Sequence, residues 1–308
     1  MTSIVQRLYD RHQLPALPKF VGASVQYEVL MGSVAYGIAE ETSDFDVYAV
    51  CIPPRDYVFP HLRGEIPGFS PPGPRFEHFE QHRVMDPSAQ GGEGRRYDLT
   101  VYSIVRFFRL CADNNPNLID TLFVPRRCVL YSTPLGERVR EQRHLFLHKG
   151  AWHKFKGYAY AQMHKMRTRE PTGGRKAMVE EHGYDLKFAS HVVRLLNEVE
   201  QILTEGDLDL ERNREQLKAI RRGEWTQAQV ERYFETPFEK TGERELEAAY
   251  TASKLPAKPD LDAIQSLLLS CLEQHYGSLD GCIARDDDTL RALRDIDAVL
   301  DRVRGLLR

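Results

Sequence analysis

Gly32-Ser33, a spacer of ten residues, and then Asp44-Phe45-Asp46 form the part of this chain whose residue types and spacing suit chemistry. Upstream, Val25, Tyr27, Val29 and Met31 alternate with Ser24, Gln26, Glu28 and Leu30, a period of two that predicts a strand ending at the glycine. A second strand is expected from Asp44 to Ile52. Successive strand residues face opposite ways, so Asp44 and Asp46 share one face while Phe45 and Val47 turn into the core. Two carboxylates held a few ångströms apart repel each other unless a cation sits between them, and oxygen-only ligands suit hard ions such as magnesium. Gly32 lets a phosphate approach the backbone, and the Ser33 hydroxyl with the amides after it can donate to phosphate oxygens. Asp98 is a third candidate ligand, on an expected strand at 95–102 where Tyr97, Leu99 and Val101 face the other way.

These residues resemble the DNA polymerase beta superfamily of nucleotidyltransferases, whose pattern is Gly-Ser, a spacer near ten, Asp-x-Asp and a later strand Asp. More narrowly, the surroundings of Gly32 to Gly37, Ser43 to Asp46, Asn115-Pro116-Asn117, and Asp185 to Lys187 with His191 and Arg194 look like the RNA-repair-associated, RlaP-like branch. The superfamily motifs span about 20–125, and the branch resemblance extends to about 225. The resemblance implies an α+β fold: a polymerase-beta-type head, with a small mixed sheet and flanking helices, followed by an all-helical C-terminal region. It implies transfer of an NMP from an NTP to an acceptor hydroxyl, with Asp44, Asp46 and Asp98 holding two Mg2+ ions, or Mn2+. One ion would activate the attacking hydroxyl, and the other would neutralise the leaving pyrophosphate.

The elements that must position this site divide the chain in two. A catalytic domain is expected over 1–130, with a Pro/Gly-rich insertion or flap at 53–96, and a helical domain over 131–308. After Tyr102 the pattern turns helical, with Ile104, Val105, Phe107, Phe108 and Cys111 on one face and a stop at Asn114-Asn115-Pro116. Further helices are expected at about 134–147, 151–168, 185–204, 213–222, 226–235, 239–253, 260–276 and 287–307. At 308 residues and 42% hydrophobic, the chain can bury a sizeable core. Five cysteines without metal-type spacing read as reduced core thiols. No signal-peptide core or run of eighteen apolar residues is present, so a cytoplasmic protein with no membrane partner is expected.

On the expected helix 185–204, Lys187, His191, Arg194 and Glu198 recur every three or four residues and so share a polar face. Lys187 and Arg194 can supply charge to a triphosphate, with His191 between them; the competing reading is a solvated face with a Glu198 salt bridge. Within 152–169, Lys154, Lys156, Lys165, Arg167 and Arg169 alternate with Trp152, Phe155, Tyr158 and Tyr160, a mixture that suits either RNA contact or an amphipathic core helix. A net charge of −3 gives no general attraction to nucleic acid. The leading acceptor is an RNA end. A protein hydroxyl or a small molecule is the first alternative, and a non-catalytic nucleotide- or RNA-binding module is the alternative of another class.

Overall fold

The alternating residues after Ser24 form β1 (Val25–Leu30), which pairs antiparallel with β2 (Phe45–Cys51) so that Leu30 opposes Val47. The computed structural model describes residues 2–40, 43–59, 75–235, 245–277 and 296. With β3 (His78–Asp86), β4 (Arg95–Ser103) and β5 (Val129–Ser132), these strands make one sheet in the order β3-β4-β2-β1-β5. β2 and β4 run parallel, and the other pairs are antiparallel. The sheet therefore continues through residue 132, past the expected domain boundary.

One face of the sheet buries Val47, Ala49, Cys51, Leu99 and Val101 against α1 (Ile4–Asp10) and α2 (Lys19–Ser24). The alternate residues face the other way. There Tyr27 and Val50 meet apolar side chains of α5 (Ile104–Ala112) and α7 (Pro134–Glu141), and Tyr27 Oη donates to the Thr121 carbonyl of α6 (Pro116–Phe123) at 3.0 Å. Between β1 and β2 lies one helical turn, α3 (Gly32–Ala35), and another turn, α4 (Arg55–Val58), follows β2.

The remaining helices are α8 (Ala151–Thr168), α9 (Gly174–His182), α10 (Leu186–Glu205), α11 (Arg214–Arg221), α12 (Gln227–Glu235), α13 (Glu245–Ala252) and α14 (Leu261–Tyr276). In α10, Phe188, Val192, Leu195, Leu196 and Val199 are buried, as their spacing requires. Asp185 caps this helix, its Oδ1 accepting from the amides of Lys187 and Phe188 at 2.9 and 3.0 Å. The chain separates into two compact units, Met1–Leu269 and Ser270–Arg308.

Several expectations change. The helix expected at 134–147 ends at Glu141 and is followed by a tighter turn over Arg143–Phe146. Of the insertion expected at 53–96, residues 60–74 lie outside the described residues, and the rest is structured: it contains α4 and the edge strand β3. The alternation of His78, Glu80 and His82 with Phe79 and Gln81 is a strand pattern obscured by the prolines before it. Apart from residue 296, the helix expected at 287–307 lies outside the described residues, as does the segment 239–244.

Glu28 links β1 to the N-terminal helix. Fully buried, its carboxylate accepts from the amides of Ile4 at 2.7 Å and Val5 at 3.0 Å, at the end of a helix where amides lack partners. Burial pushes its carboxyl up to about 7, although the two amides and Arg7 pull it back. Between the ordinary value of 4.5 and about 7, the folded chain keeps a proton that the unfolded chain has lost. The stability contributed by Glu28 should therefore fall as pH rises through that window. Glu28→Gln should flatten the fall: between about pH 5 and pH 7.5, urea denaturation should show a stability loss smaller than wild type's by up to about 3 kcal/mol. Equal losses in the two proteins would contradict this assignment.

Candidate functional site

At the end of β1, the Met31 amide donates to the Asp46 carbonyl at 2.8 Å, fixing the Gly-Ser turn beside β2. Gly32 has φ +61°, a left-handed conformation that favours glycine, and a Cβ there would collide with the Asp46 carboxylate. Glycine is thus needed for two reasons, backbone conformation and space. Asp46 and Asp98 are direct register partners on the parallel strands β2 and β4, and Asp44 lies just before β2. Burial, then the charges of Asp98 and Asp44, push the Asp46 carboxyl up to about 6, while His82 and Lys187 act in the opposite direction. The three carboxylates therefore share one electrostatic environment, the setting a hard cation relieves.

Asp98 has protein partners that the sequence did not reveal. Its Oδ1 accepts from the Arg83 amide at 2.7 Å, and its Oδ2 lies 3.2 Å from His82 Nδ1. The other ring nitrogen of His82 meets Glu80 at 3.0 Å. These contacts arise from a break in register between Gln81 and Val84, where Arg83 takes φ 57°. Such a bulge re-aims side chains, and here it turns His82 and the Arg83 amide toward Asp98. Among the described residues, no group of three or more His, Cys, Asp or Glu side chains stands ready at metal-binding spacing. In donor chemistry the three aspartates fit a hard cation, with both oxygens of Asp98 already engaged by protein groups.

The expected polar face of α10 separates into two parts. Arg194 is only 5% exposed, and its Nη1 donates to Asp120 at 2.5 Å, to Glu198 at 2.9 Å and to Tyr36 Oη at 2.7 Å. Burial works against its charge, but Glu198, Tyr36 and Asp120 hold its pKa above the usual value. Burial also pushes the carboxyls of Asp120 and Glu198 up, with Arg194 opposing it in both. An arginine so enclosed cannot reach a phosphate without leaving two buried carboxylates uncompensated. The expectation that Arg194 grips substrate is corrected: it is an internal clamp between α10, α6 and the residue following α3.

Lys187 and His191 form the second part. His191 is half-buried, and its imidazole is pushed down to about 3 by burial and then by Arg194, Arg221, Arg175 and Lys187. Neutral His191 therefore lies within the electrostatic reach of four cations. Lys187 and Arg221 make no ion pair among the described residues, whereas Arg175 binds Asp185 at 2.8 Å and lies 4.4 Å from the centre of the Phe188 ring. Asn197 Nδ2 donates to Gln216 Oε1 at 2.8 Å between α10 and α11, which brings the end of α11, with Arg221, back toward the start of α10. Arg175 and Arg221 lie on separate helices, and no sequence spacing links them to Lys187.

On α8, Trp152 and Phe155 are buried and Tyr158 Oη accepts from Asn115 at 2.8 Å, leaving Tyr160 as an exposed ring. Lys154 pairs with Asp113 at 2.6 Å and Arg167 with Glu231 at 2.9 Å. The core reading thus accounts for Trp152 and Phe155, and Lys165 and Arg169 remain exposed.

The sequence matches RlaP, described as the RNA repair pathway DNA polymerase beta family, over residues 7–270. The chain belongs to this family. It is accordingly a polymerase-beta-type nucleotidyltransferase, with an α+β head and a helical C-terminal region. A solved structure, the nucleotidyltransferase-like protein from Exiguobacterium sibiricum 255-15, is 11% identical, with 98% of this chain and 90% of that chain covered and a TM-score of 0.27. No curated protein matches the chain. No described helix is long and apolar enough to cross a membrane.

The two parts of α10 predict opposite mutational behaviour. Arg194→Met should cost roughly 3–5 kcal/mol, because it leaves Asp120 and Glu198 buried without their cation. Lys187→Ala, on a half-buried side chain without an ion pair, should change stability by no more than about 0.5 kcal/mol. Urea midpoints with unchanged slopes measure both, and similar effects would argue against the division.

Proposed function

We propose that the chain transfers an NMP from an NTP to an acceptor hydroxyl on an RNA end. The observation that carries this reading is the register of Asp46 against Asp98 beside a glycine whose absent Cβ leaves room for the Asp46 carboxylate. That arrangement places a negative cluster next to an open backbone turn, which suits a cation-bound triphosphate. Asp44, Asp46 and Asp98 would hold divalent metal, Mg2+ or Mn2+, which when bound lowers the pKa of the acceptor hydroxyl and offsets charge on the leaving pyrophosphate.

The chain's own groups divide the remaining work. The Ser33 hydroxyl and the amides of the turn after Gly32 donate to the leaving phosphates. Lys187 neutralises a phosphate directly, and Arg175 and Arg221 extend the positive field around neutral His191, which can donate to or accept from a nucleotide oxygen. Arg194 does not touch the nucleotide; it holds α10 against Asp120 and Tyr36, so that Lys187 is presented at the turn. Asp98, oriented by the Arg83 amide and His82, faces the acceptor. The exposed Lys165 on α8 and Arg169 just after it, together with Lys156, offer charge for RNA, and the family description supports RNA as the acceptor class.

The deciding assay incubates the full chain with each labelled NTP, Mg2+, and either RNA or protein acceptors. Label should enter RNA; label entering a protein or small molecule instead would retain the transferase and reject the RNA acceptor. Asp46→Asn, with circular dichroism showing the fold retained, should lower transfer by on the order of a hundredfold or more. Wild-type turnover in this variant would rule out the carboxylate assignment. Lys187→Ala should raise KM for the NTP more than it lowers kcat, because its charge acts on ground and transition states alike. An unchanged KM would return Lys187 to a solvent role.

A further inference from the structure

The sheet face that carries Asp46 and Asp98 continues beyond them into a cavity of about 230 Å3. Its floor follows from the period of two: Tyr48 lies two residues after Asp46 on β2, and Thr100 and Tyr102 follow Asp98 on β4. His78 and Glu80 of β3 sit opposite Tyr102 and Thr100, and Asn115 and Asn117 at the start of α6 form part of the wall. Glu80 contacts His82, which contacts Asp98, so an unbroken chain of side chains joins the cavity to the carboxylates.

The lining combines flat rings with unsatisfied polar groups. The His78 and Tyr102 rings stack with centroids 6.1 Å apart and planes 21° apart, and Tyr48 tilts against Tyr102 at 5.9 Å. The hydroxyls of Tyr48, Thr100 and Tyr102 and the side-chain amide of Asn117 have no hydrogen-bond partner among the described residues. Thr100 is only 8% exposed, and two further lining residues carry buried atoms without a hydrogen-bond partner among the described residues, Asn115 Oδ1 and Arg106 Nε. Rings for stacking, with donors and acceptors around them, are what unpaired bases bind through. The volume is below the roughly 300–1,000 Å3 of sites for drug-sized ligands, and so suits one ring system rather than a whole nucleotide.

Position within the sheet decides which base. In the order β3-β4-β2-β1-β5, the Gly32-Ser33 turn lies on the β1 side of Asp46, whereas the cavity is lined by β2, β4 and β3 residues farther along those strands than Asp46 and Asp98, with none from β1. Phosphoryl transfer puts the attacking and leaving oxygens roughly in line on opposite sides of phosphorus. With the leaving phosphates at Gly32-Ser33 on the β1 side, an in-line attacking hydroxyl approaches from the β4 side, where Asp98 and four of the five strand residues lining the cavity lie. We propose that this cavity seats the base of the acceptor RNA's terminal nucleotide, which brings that nucleotide's hydroxyl to Asp98. The assignment rests on the transfer reading for its direction and on the cavity's own chemistry for its ligand.

The test uses the full chain, Mg2+, a non-hydrolysable NTP analogue and short RNAs carrying fluorescent 2-aminopurine either at the terminus or several nucleotides inside. Terminal 2-aminopurine should change intensity severalfold on saturation, and the internal one should change little. Tyr102→Leu and Thr100→Val should each raise Kd for the RNA tenfold or more while leaving Kd for the analogue within about twofold, the discrimination expected when a base loses a stacking or edge contact. Tyr48→Phe keeps the ring, and so guards against a folding defect in the other two; it should weaken RNA binding severalfold. Bound RNA with an unresponsive terminal base would overturn the proposal, as would variants that weaken the NTP analogue instead, since those place the NTP's own base in the cavity. Because binding is read without turnover, a chain that transfers nothing yet seats the terminal base would fail the transfer reading alone. Normal transfer to RNA with Kd unaltered in all three variants would fail the cavity alone.

Discussion

One guanidinium ties the helical part of this protein to its catalytic head. Arg194 reaches from α10 to Asp120 on α6 and to Tyr36, the residue after the helical turn that begins at Gly32, and Glu198 completes its surroundings one helical turn along. Burying this many charges is costly, and an apolar replacement of equal shape can match such a cluster in stability. What the ions add is direction. A hydrogen-bonded guanidinium accepts few arrangements, so the turn that carries Ser33, the wall that carries Asn117, and the helix that carries Lys187 are fixed relative to one another.

The charge distribution around the site follows from that anchoring. On one side three aspartates crowd together, and burial with mutual repulsion raises the pKa of Asp46. On the other, Lys187, Arg175 and Arg221 surround an imidazole held neutral by the same two causes. Each half gathers charge of a single sign. A metal-bound polyphosphate carries both signs and would relieve both halves together, so affinity for nucleotide and affinity for cation should depend on each other.

Much of this was legible in the sequence because it is local. The alternation in β1 and β2, the glycine at the turn, the closeness of Asp44 to Asp46, and the capped, amphipathic α10 all depend on neighbours within a few residues, although β2 begins at Phe45, one residue after Asp44. Asp98 was also accessible, since β4 keeps a clean period of two. What stayed hidden depends on long-range contact. Spacing alone put Arg194 beside Lys187 and His191 on one face, but only the packing of α6 onto α10 decides that Arg194 turns inward to Asp120, 74 residues away in sequence. His82 was missed because β3 reads as part of a Pro/Gly-rich insertion, and the bulge that aims it has no sequence mark. Arg175 and Arg221 enter from separate helices, so no periodicity pairs them.

The bulge in β3 has an effect unrelated to chemistry. Among the described residues β3 is one of the two outer strands of the sheet, with no neighbour beyond it. A straight strand in that position offers a row of amides and carbonyls to any other extended chain, which is how sheets recruit one another into aggregates. Here the register break at His82 and Arg83 interrupts the row, and Glu80, His82 and Arg83 set charged or polar side chains along it. The irregularity that turns an amide toward Asp98 thus also denies an incoming strand a continuous edge on which to grow.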